Sequence, residues 1–176
     1  MIKQAYFAGG CFWCTESIFQ LVTGVVKVTP GYMGGHIKNP AYREVCNGNT
    51  GHTETIKIEY NDAEVSFGEL LEVFFLTHDP TTLNRQGNDV GTQYRSAVFC
   101  NDQDEKQQVE ECISRLEKEG DFKNPFVTEI NEISPFYEAE TDHHNYYNLN
   151  KEQPYCQFVI TPKIEKFKTI SNKQSI

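Results

Sequence analysis

The stretch Gly9-Gly10-Cys11-Phe12-Trp13-Cys14-Thr15-Glu16 constrains this chain more than any other. A short apolar run, Ala5-Tyr6-Phe7-Ala8, leads into it and predicts a strand. Two glycines break that strand. From Phe12 to Val22 the pattern turns helical, with Cys14, Ile18, Leu21 and Val22 on one face. Cys11 therefore falls where a strand hands over to a helix start. Unpaired backbone N–H groups and the positive end of the helix dipole favour a thiolate there, so a lowered thiol pKa is expected. The thiolate is the nucleophilic form, which makes Cys11 a candidate for chemistry. Paired glycines also let a substrate come close to the backbone.

The 176 residues are expected to form one domain, 1–176, with enough apolar side chains for a core. A formal charge of -9 argues against a nucleic-acid partner, which calls for a basic stripe. No apolar run approaches the ~18 residues of a membrane span. No signal segment opens the chain, so the cytoplasm is the expected compartment. A domain of this size does not need its six cysteines as a disulfide framework; redox chemistry, metal binding or packing are the alternatives.

Further along, Val25 to Thr29 predicts a strand, and a Gly/Pro-rich loop begins at Pro30 and continues towards Cys46. Thr53 to Tyr60 alternates cleanly, with Ile56, Ile58 and Tyr60 on one face and Thr55, Lys57 and Glu59 on the other. Ser66-Phe67-Gly68-Glu69 is a capping-box signature for a helix reaching about Thr77. A second polar loop spans Thr81 to Gly91, followed by a strand from Tyr94 to Cys100. Asn101 or Asp102 caps a helix closed by Gly120, and Phe126 to Ile133 predicts another strand. The irregular segment Ser134 to Tyr155 carries at most a short helix, near His144 to Leu149; a short strand at Gln157 to Ile160 and a terminal helix follow. Over the first hundred residues the order is strand, helix, strand, strand, helix, strand. That order predicts an α+β two-layer sandwich with a ferredoxin-like split βαβ core and a mostly antiparallel sheet. The two long loops then supply a site beside Cys11.

Glu54 extends the apolar face of its strand, where a carboxyl is out of place unless paired or neutral. Burial raises its pKa and makes it a proton donor near neutral pH; the alternative is a frayed strand end pointing to solvent. Cys11 and Cys14 make a C-x-x-C pair on one helix face, able to close a disulfide. Zinc is not expected, because no second such pair exists, and Cys14 alternatively packs in the core beside Ile18. Cys100 and Cys112 fit core positions, whereas Cys46 falls in a loop. Phe12 and Trp13 are either helix-end packing or an apolar wall for a substrate. Each of the five histidines is by itself more often structural than catalytic. Asp89 is by default a turn former.

Taken together, these pieces resemble the A-type methionine sulfoxide reductases, which reduce the S-epimer of methionine sulfoxide. Gly10-Cys11-Phe12-Trp13 is similar to the family's nucleophile motif. Tyr42 to Glu54 resembles a second block, and His78 to Ser96 a third. Ala139-Glu140-Thr141-Asp142-His143, leading to Gln153-Pro154-Tyr155-Cys156, resembles a fourth. The resemblance implies a Cys11 nucleophile, Glu54 as proton donor, and Tyr42 and Tyr94 on the sulfoxide oxygen. It puts Phe12 and Trp13 around the substrate methyl group, and Asp89 and His143 in the substrate site. It also implies a Cys11 sulfenic acid resolved by a second thiol to a disulfide, with thioredoxin as the reductant. Cys14 stands where many members have glycine and is the favoured resolving thiol, because it needs no rearrangement; Cys156, matching a C-terminal cysteine of some relatives, is the alternative. No cofactor or metal is called for. Methionine sulfoxide, free or in oxidised proteins, is the expected substrate of a monomer.

Overall fold

The computed structural model describes residues 1–174; residues 175–176 of the expected 1–176 domain lie outside the described residues. Strand β1 (Ile2–Ala8) turns Ala5 and Phe7 to one side and Tyr6 and Ala8 to the other, as the two-residue period of a strand requires. Gly10 ends it at φ +88, and a Cβ there would sit 2.7 Å from Cγ of Gln86. Cys11 follows in extended conformation as the N-cap of α1 (Phe12–Phe19). The helix is shorter than the pattern predicts. Its end tightens into i→i−3 hydrogen bonds at Leu21 and Val22, which carries Leu21 off the buried face to 47% exposure.

Strand β2 (Val25–Met33) runs through the Pro30-Gly31-Tyr32-Met33 stretch expected as loop. The sheet overrides the local turn signal because Gly31 is needed there. A side chain at that position would meet the Phe136 ring at 2.4 Å. After α2 (Tyr42–Cys46), strand β3 (Thr53–Asn61) pairs antiparallel with both β1 and β2. Helix α3 (Phe67–Thr77) opens on the expected cap, with the Glu69 N–H donating to Ser66 Oγ at 3.1 Å.

The polar loop that follows folds into a small hairpin, β4 (Arg85–Gln86) with β5 (Asp89–Val90). Tyr94 belongs to a 3-10 turn (Thr92–Tyr94), not to the expected strand, and β6 (Ala97–Cys100) begins only beyond it. Helix α4 (Gln103–Glu119) is capped by Asp102 and ended by Gly120 in the left-handed region. Strand β7 (Glu129–Glu132) is half the length expected, and β8 (Tyr137–Glu138) adds the other edge. A 3-10 turn (Thr141–His143) and α5 (Tyr146–Leu149) lead to a π-helical turn (Cys156–Ile160) and α6 (Thr161–Gln174). The strand expected at 157–160 is thus helical. Its β-branched residues suggest a strand, but the buried positions Cys156, Ile160, Ile164 and Phe167 recur at helical spacing.

The sheet order is β7-β6-β1-β3-β2-β8, antiparallel throughout except for the parallel β6–β7 pair. Helices cover one face, where Phe7, Ile56 and Ile58 meet Phe12, Ile18, Leu71, Phe74, Val109 and Phe167. A smaller cluster around Met33, Phe99 and Phe136 fills the other face. Cys100 and Cys112 are buried, as their positions predict. The end of β1, the end of β2 and the start of β3 meet at one end of the central strands, since Phe7 pairs with Ile56 and Tyr32 with Glu54. That end is where α1 begins.

Replacing Gly10 by alanine is expected to cost about 1–3 kcal/mol in urea unfolding, through positive φ and the Gln86 contact together. Adding Gln86→Ala removes the Cγ but leaves the Gln86 Cβ 2.9 Å from the new methyl and the backbone strain in place, so the double variant recovers only a small part of the loss.

Candidate active site

Strand alternation puts Glu54 on the same side as Ile56 and Ile58, pointing under the start of α1. The N–H of Phe12, the first residue of that helix, donates to Glu54 Oε1 at 3.1 Å. The carboxyl is 2% exposed, so the frayed-end alternative is excluded. Its second oxygen, Oε2, is buried with no hydrogen-bond partner among the described residues. Burial pushes the Glu54 carboxyl up to about 8, against the pull of the Phe12 N–H and with help from the Asp89 and Cys14 charges. At neutral pH Glu54 is therefore largely protonated.

The same burial reverses the expectation for Cys11. Its pKa is raised well above the usual thiol value, by desolvation first, then by the hydrogen bond with Cys14 and the Glu54 charge. The Trp13 backbone N–H pulls the other way and loses. A helix terminus contributes about 0.3–1 kcal/mol at exposed sites. Full burial shifts a pKa by up to about 3–5 units, each roughly 1.4 kcal/mol. Dipole logic fails here on magnitude. Cys14 is instead the more acidic thiol, lowered to about 7 by the hydrogen bond from Cys11, with Lys163 and Tyr155 adding to it.

Aromatic side chains close around this pair. Phe12 is fully buried, its ring 5.7 Å from that of Tyr32, 6.4 Å from Tyr42 and 5.5 Å from His143. Trp13 stacks on Tyr146 at 3.8 Å and donates its Nε1–H to His143 Nδ1 at 3.1 Å. That bond leaves the His143 proton on Nε2. The His143 ring also lies 4.4 Å from Tyr42. Burial holds the Tyr42 and Tyr94 phenols far above the usual value, so both remain hydrogen-bond donors, and both feel the Glu54 charge. Asp89 Oδ2 accepts the Tyr155 O–H at 2.6 Å, and that phenol oxygen lies 3.7 Å from Cys14 Sγ. Cys156 is fully buried and close enough to Cys14 to feel its charge. Cys46, at the end of α2, hydrogen-bonds the Tyr42 phenol.

Thus Cys11, Phe12, Trp13, Cys14, Tyr42, Glu54, Tyr94 and His143 gather at one end of the central strands, with Asp89 and Cys156 on the Cys14 side. Sequence reasoning gave no role to Tyr32 or Glu140. Glu140 accepts the Tyr32 O–H at 3.0 Å and the Tyr42 N–H at 2.9 Å, fixing α2 beside the site. Its only sequence signal was its place in the Ala139 to His143 block. Glu16, buried on α1, accepts the Asn145 N–H at 2.9 Å and so places Tyr146 against Trp13. Among the described residues no cluster of three or more His, Cys, Asp or Glu side chains suits a metal ion.

A proton-bearing buried carboxyl beside two neighbouring thiols and a set of phenols defines a thiol-based redox site. Residues 3–175 match the family described as peptide methionine sulfoxide reductase, and the chain belongs to that family. It is 52% identical over 168 residues to peptide methionine sulfoxide reductase MsrA of Trichodesmium erythraeum, covering 96% of this chain and 95% of that one. MsrA of Saccharolobus solfataricus is 50% identical over 166 residues, covering 94% and 93%. Among solved structures, Mxr1 from Saccharomyces cerevisiae in reduced form superposes with a TM-score of 0.82 at 32% identity, covering 88% of this chain and 89% of that one. Methionine sulfoxide reductase A of Corynebacterium diphtheriae gives 0.76 at 37% identity, covering 85% and 75%.

Between the ordinary glutamate value of 4.5 and about 8, the folded state holds a Glu54 proton that the unfolded chain has released. The native state binds more protons across that window, so this group's contribution to stability falls as pH rises through it. Urea unfolding of wild type and Glu54→Gln is expected to diverge in favour of the glutamine variant from about pH 5 to about pH 8, then run parallel.

Proposed function

We propose that this protein reduces methionine-S-sulfoxide, free or in oxidised proteins, to methionine through Cys11, with Glu54 as acid. The carrying observation is Glu54 Oε2, buried and without a hydrogen-bond partner among the described residues, on a carboxyl that accepts the N–H of Phe12 next to Cys11 and that burial pushes up to about 8. A sulfoxide sulfur is a poor electrophile until its oxygen accepts a proton. Glu54 supplies that proton as the Cys11 sulfur attacks, and the phenols of Tyr42 and Tyr94 hydrogen-bond the oxygen as charge grows on it. Oxygen passes to Cys11, methionine leaves, and a sulfenic acid remains. Phe12 and Trp13 hold the substrate methyl group, and His143 and Asp89 support the site. His143 does so by bonding Trp13 and packing on Tyr42, Asp89 by bonding Tyr155.

Cys14 is the resolving thiol in this reading, supported by its hydrogen bond with Cys11 and its low pKa. Cys156 is the alternative. The resulting disulfide is returned to two thiols by an external dithiol of the thioredoxin class. No cofactor takes part. We also read the β6-β1-β3-β2 order, with α1 joining β1 to β2 and α3 joining β3 to β6, as a ferredoxin-like split βαβ sandwich in one domain. The protein is read as a cytoplasmic monomer, which light scattering tests for the oligomeric state.

Turnover on the two sulfoxide epimers, coupled to thioredoxin, is expected for the S form only. Cys11→Ser abolishes it. Glu54→Gln lowers it by about 10²–10⁴-fold. Wild-type turnover declines as pH rises through about 8, where the acid is lost. Full activity of Glu54→Gln would remove the acid from the mechanism, and peptide mapping of the oxidised enzyme shows whether Cys11 bonds to Cys14 or to Cys156.

A further inference from the structure

The pair Cys11–Cys14 shares a hydrogen bond, yet the two sulfurs have different neighbours. Cys11 faces the Glu54 carboxyl and the start of α1. Cys14 faces Lys163 of α6, whose Nζ lies 4.0 Å from its Sγ, and the Tyr155 phenol at 3.7 Å. Tyr155 has one proton for two acceptors, and its shorter bond, 2.6 Å, goes to Asp89. The phenol therefore aids Cys14 less than Lys163 does, and Lys163 is the cation beside that sulfur. Among the described residues no carboxylate pairs with Lys163 within 4.0 Å. On its other side Lys163 lines an open cleft of 550 Å³ beside Phe122 and Phe167.

We propose that Lys163 is a positioning residue that holds the anion of the thiol pair on Cys14, so that Cys14 accepts the Cys11 proton as Cys11 attacks the sulfoxide. This rests on the reading of the site as a sulfoxide reductase and deepens it. The resting site then holds one proton on the thiol pair and one on Glu54. As the Cys11 sulfur attacks, its proton passes to Cys14, and the Glu54 proton passes to the sulfoxide oxygen. That oxygen moves to Cys11 as S–OH, and the sulfoxide sulfur gains two electrons and leaves as methionine. Cys14 next attacks the sulfenic sulfur; the S–S bond forms, the S–O bond breaks, and the Cys14 proton joins the departing hydroxide. One water carries off both protons, the two thiols have lost two electrons, and the single negative charge ends on Glu54. No outside acid is needed until the disulfide is reduced.

Groups facing Cys14 include Cys11 from the turn, Glu54 from β3, Asp89 from β5, Tyr155 and Cys156 from the C-terminal segment, and Lys163 from α6. Glu54 is neutral until about pH 8, and Asp89 raises the Cys14 pKa without reversing its fall to about 7. Lys163 is the cation in that set.

The test titrates the reduced full-length protein by NMR of cysteine labelled at ¹³Cβ, which reads each sulfur without needing reagent access. In wild type the Cys14 resonance is expected to titrate near pH 7 and Cys11 well above it. Lys163→Met is expected to move the Cys14 midpoint up by about one unit, and Lys163→Arg to restore it. The single-turnover rate of methionine release at pH 7 falls about fivefold in Lys163→Met, following the lost thiolate. A wild type in which Cys11 titrates first overturns the proposal, and needs no variant to fold. So does an unmoved Cys14 midpoint in a folded Lys163→Met. Failure of the wild-type enzyme to release methionine from sulfoxide defeats the functional reading instead, and leaves the titration result standing. A mapped Cys11–Cys156 disulfide removes Cys14 as resolving thiol but not as the base.

Discussion

The hydrogen bond from the Phe12 N–H to Glu54 Oε1 is the contact on which this site depends. It ties the first turn of α1 to the first residues of β3, two elements forty residues apart in the chain. Without it the nucleophile candidate and the acid candidate would share a neighbourhood but no fixed geometry. The bond also settles which carboxyl oxygen is engaged. Oε1 accepts from the backbone, and Oε2 is left as the oxygen able to carry and deliver a proton. An acid held by one oxygen in a dry setting is oriented without being forced to ionise.

Around that bond the fold builds supports that do no chemistry themselves. Glu140 holds the Tyr32 phenol and the Tyr42 backbone together, so the end of β2 and the start of α2 move as one. Glu16 fixes the turn before α5, which sets Tyr146 flat against Trp13. Both carboxylates work through a backbone N–H at a short helical segment, where an unpaired donor is available. Arg95 does the same on the other flank. It donates to the Gly51 carbonyl at 3.0 Å and the Thr92 carbonyl at 3.0 Å, joining the approach to β3 with the turn that carries Tyr94.

Burial is the common cause of the site's electrostatics. It raises Glu54, Cys11, Tyr42 and Tyr94 together, which keeps every proton the proposed reaction uses in place at neutral pH. Cys14 is the exception. The hydrogen bond from Cys11 outweighs desolvation there, and Lys163 of the C-terminal helix, 4.0 Å away, adds to the lowering. Two thiols three residues apart on one helix turn therefore behave oppositely.

Local rules made several features legible from the residues alone. The glycine break before Cys11, the Ser66 and Asp102 caps, the alternation of β3 and the misplaced carboxyl on its apolar face all rest on contacts within a few residues. The end of β2, the turn at Tyr94 and the helical form of 157–160 were not legible, because sheet pairing and packing from distant segments override local preference there. The same division runs through the site. Sequence singled out the candidate residues and placed Glu54 on the apolar face of its strand, since side-chain direction along a strand is set by its period, but left a frayed strand end open as the alternative. Only the tertiary structure decided which thiol is acidic and which oxygen of Glu54 is free. Desolvation and charge pairing depend on what folds over a group, and no spacing along the chain records that.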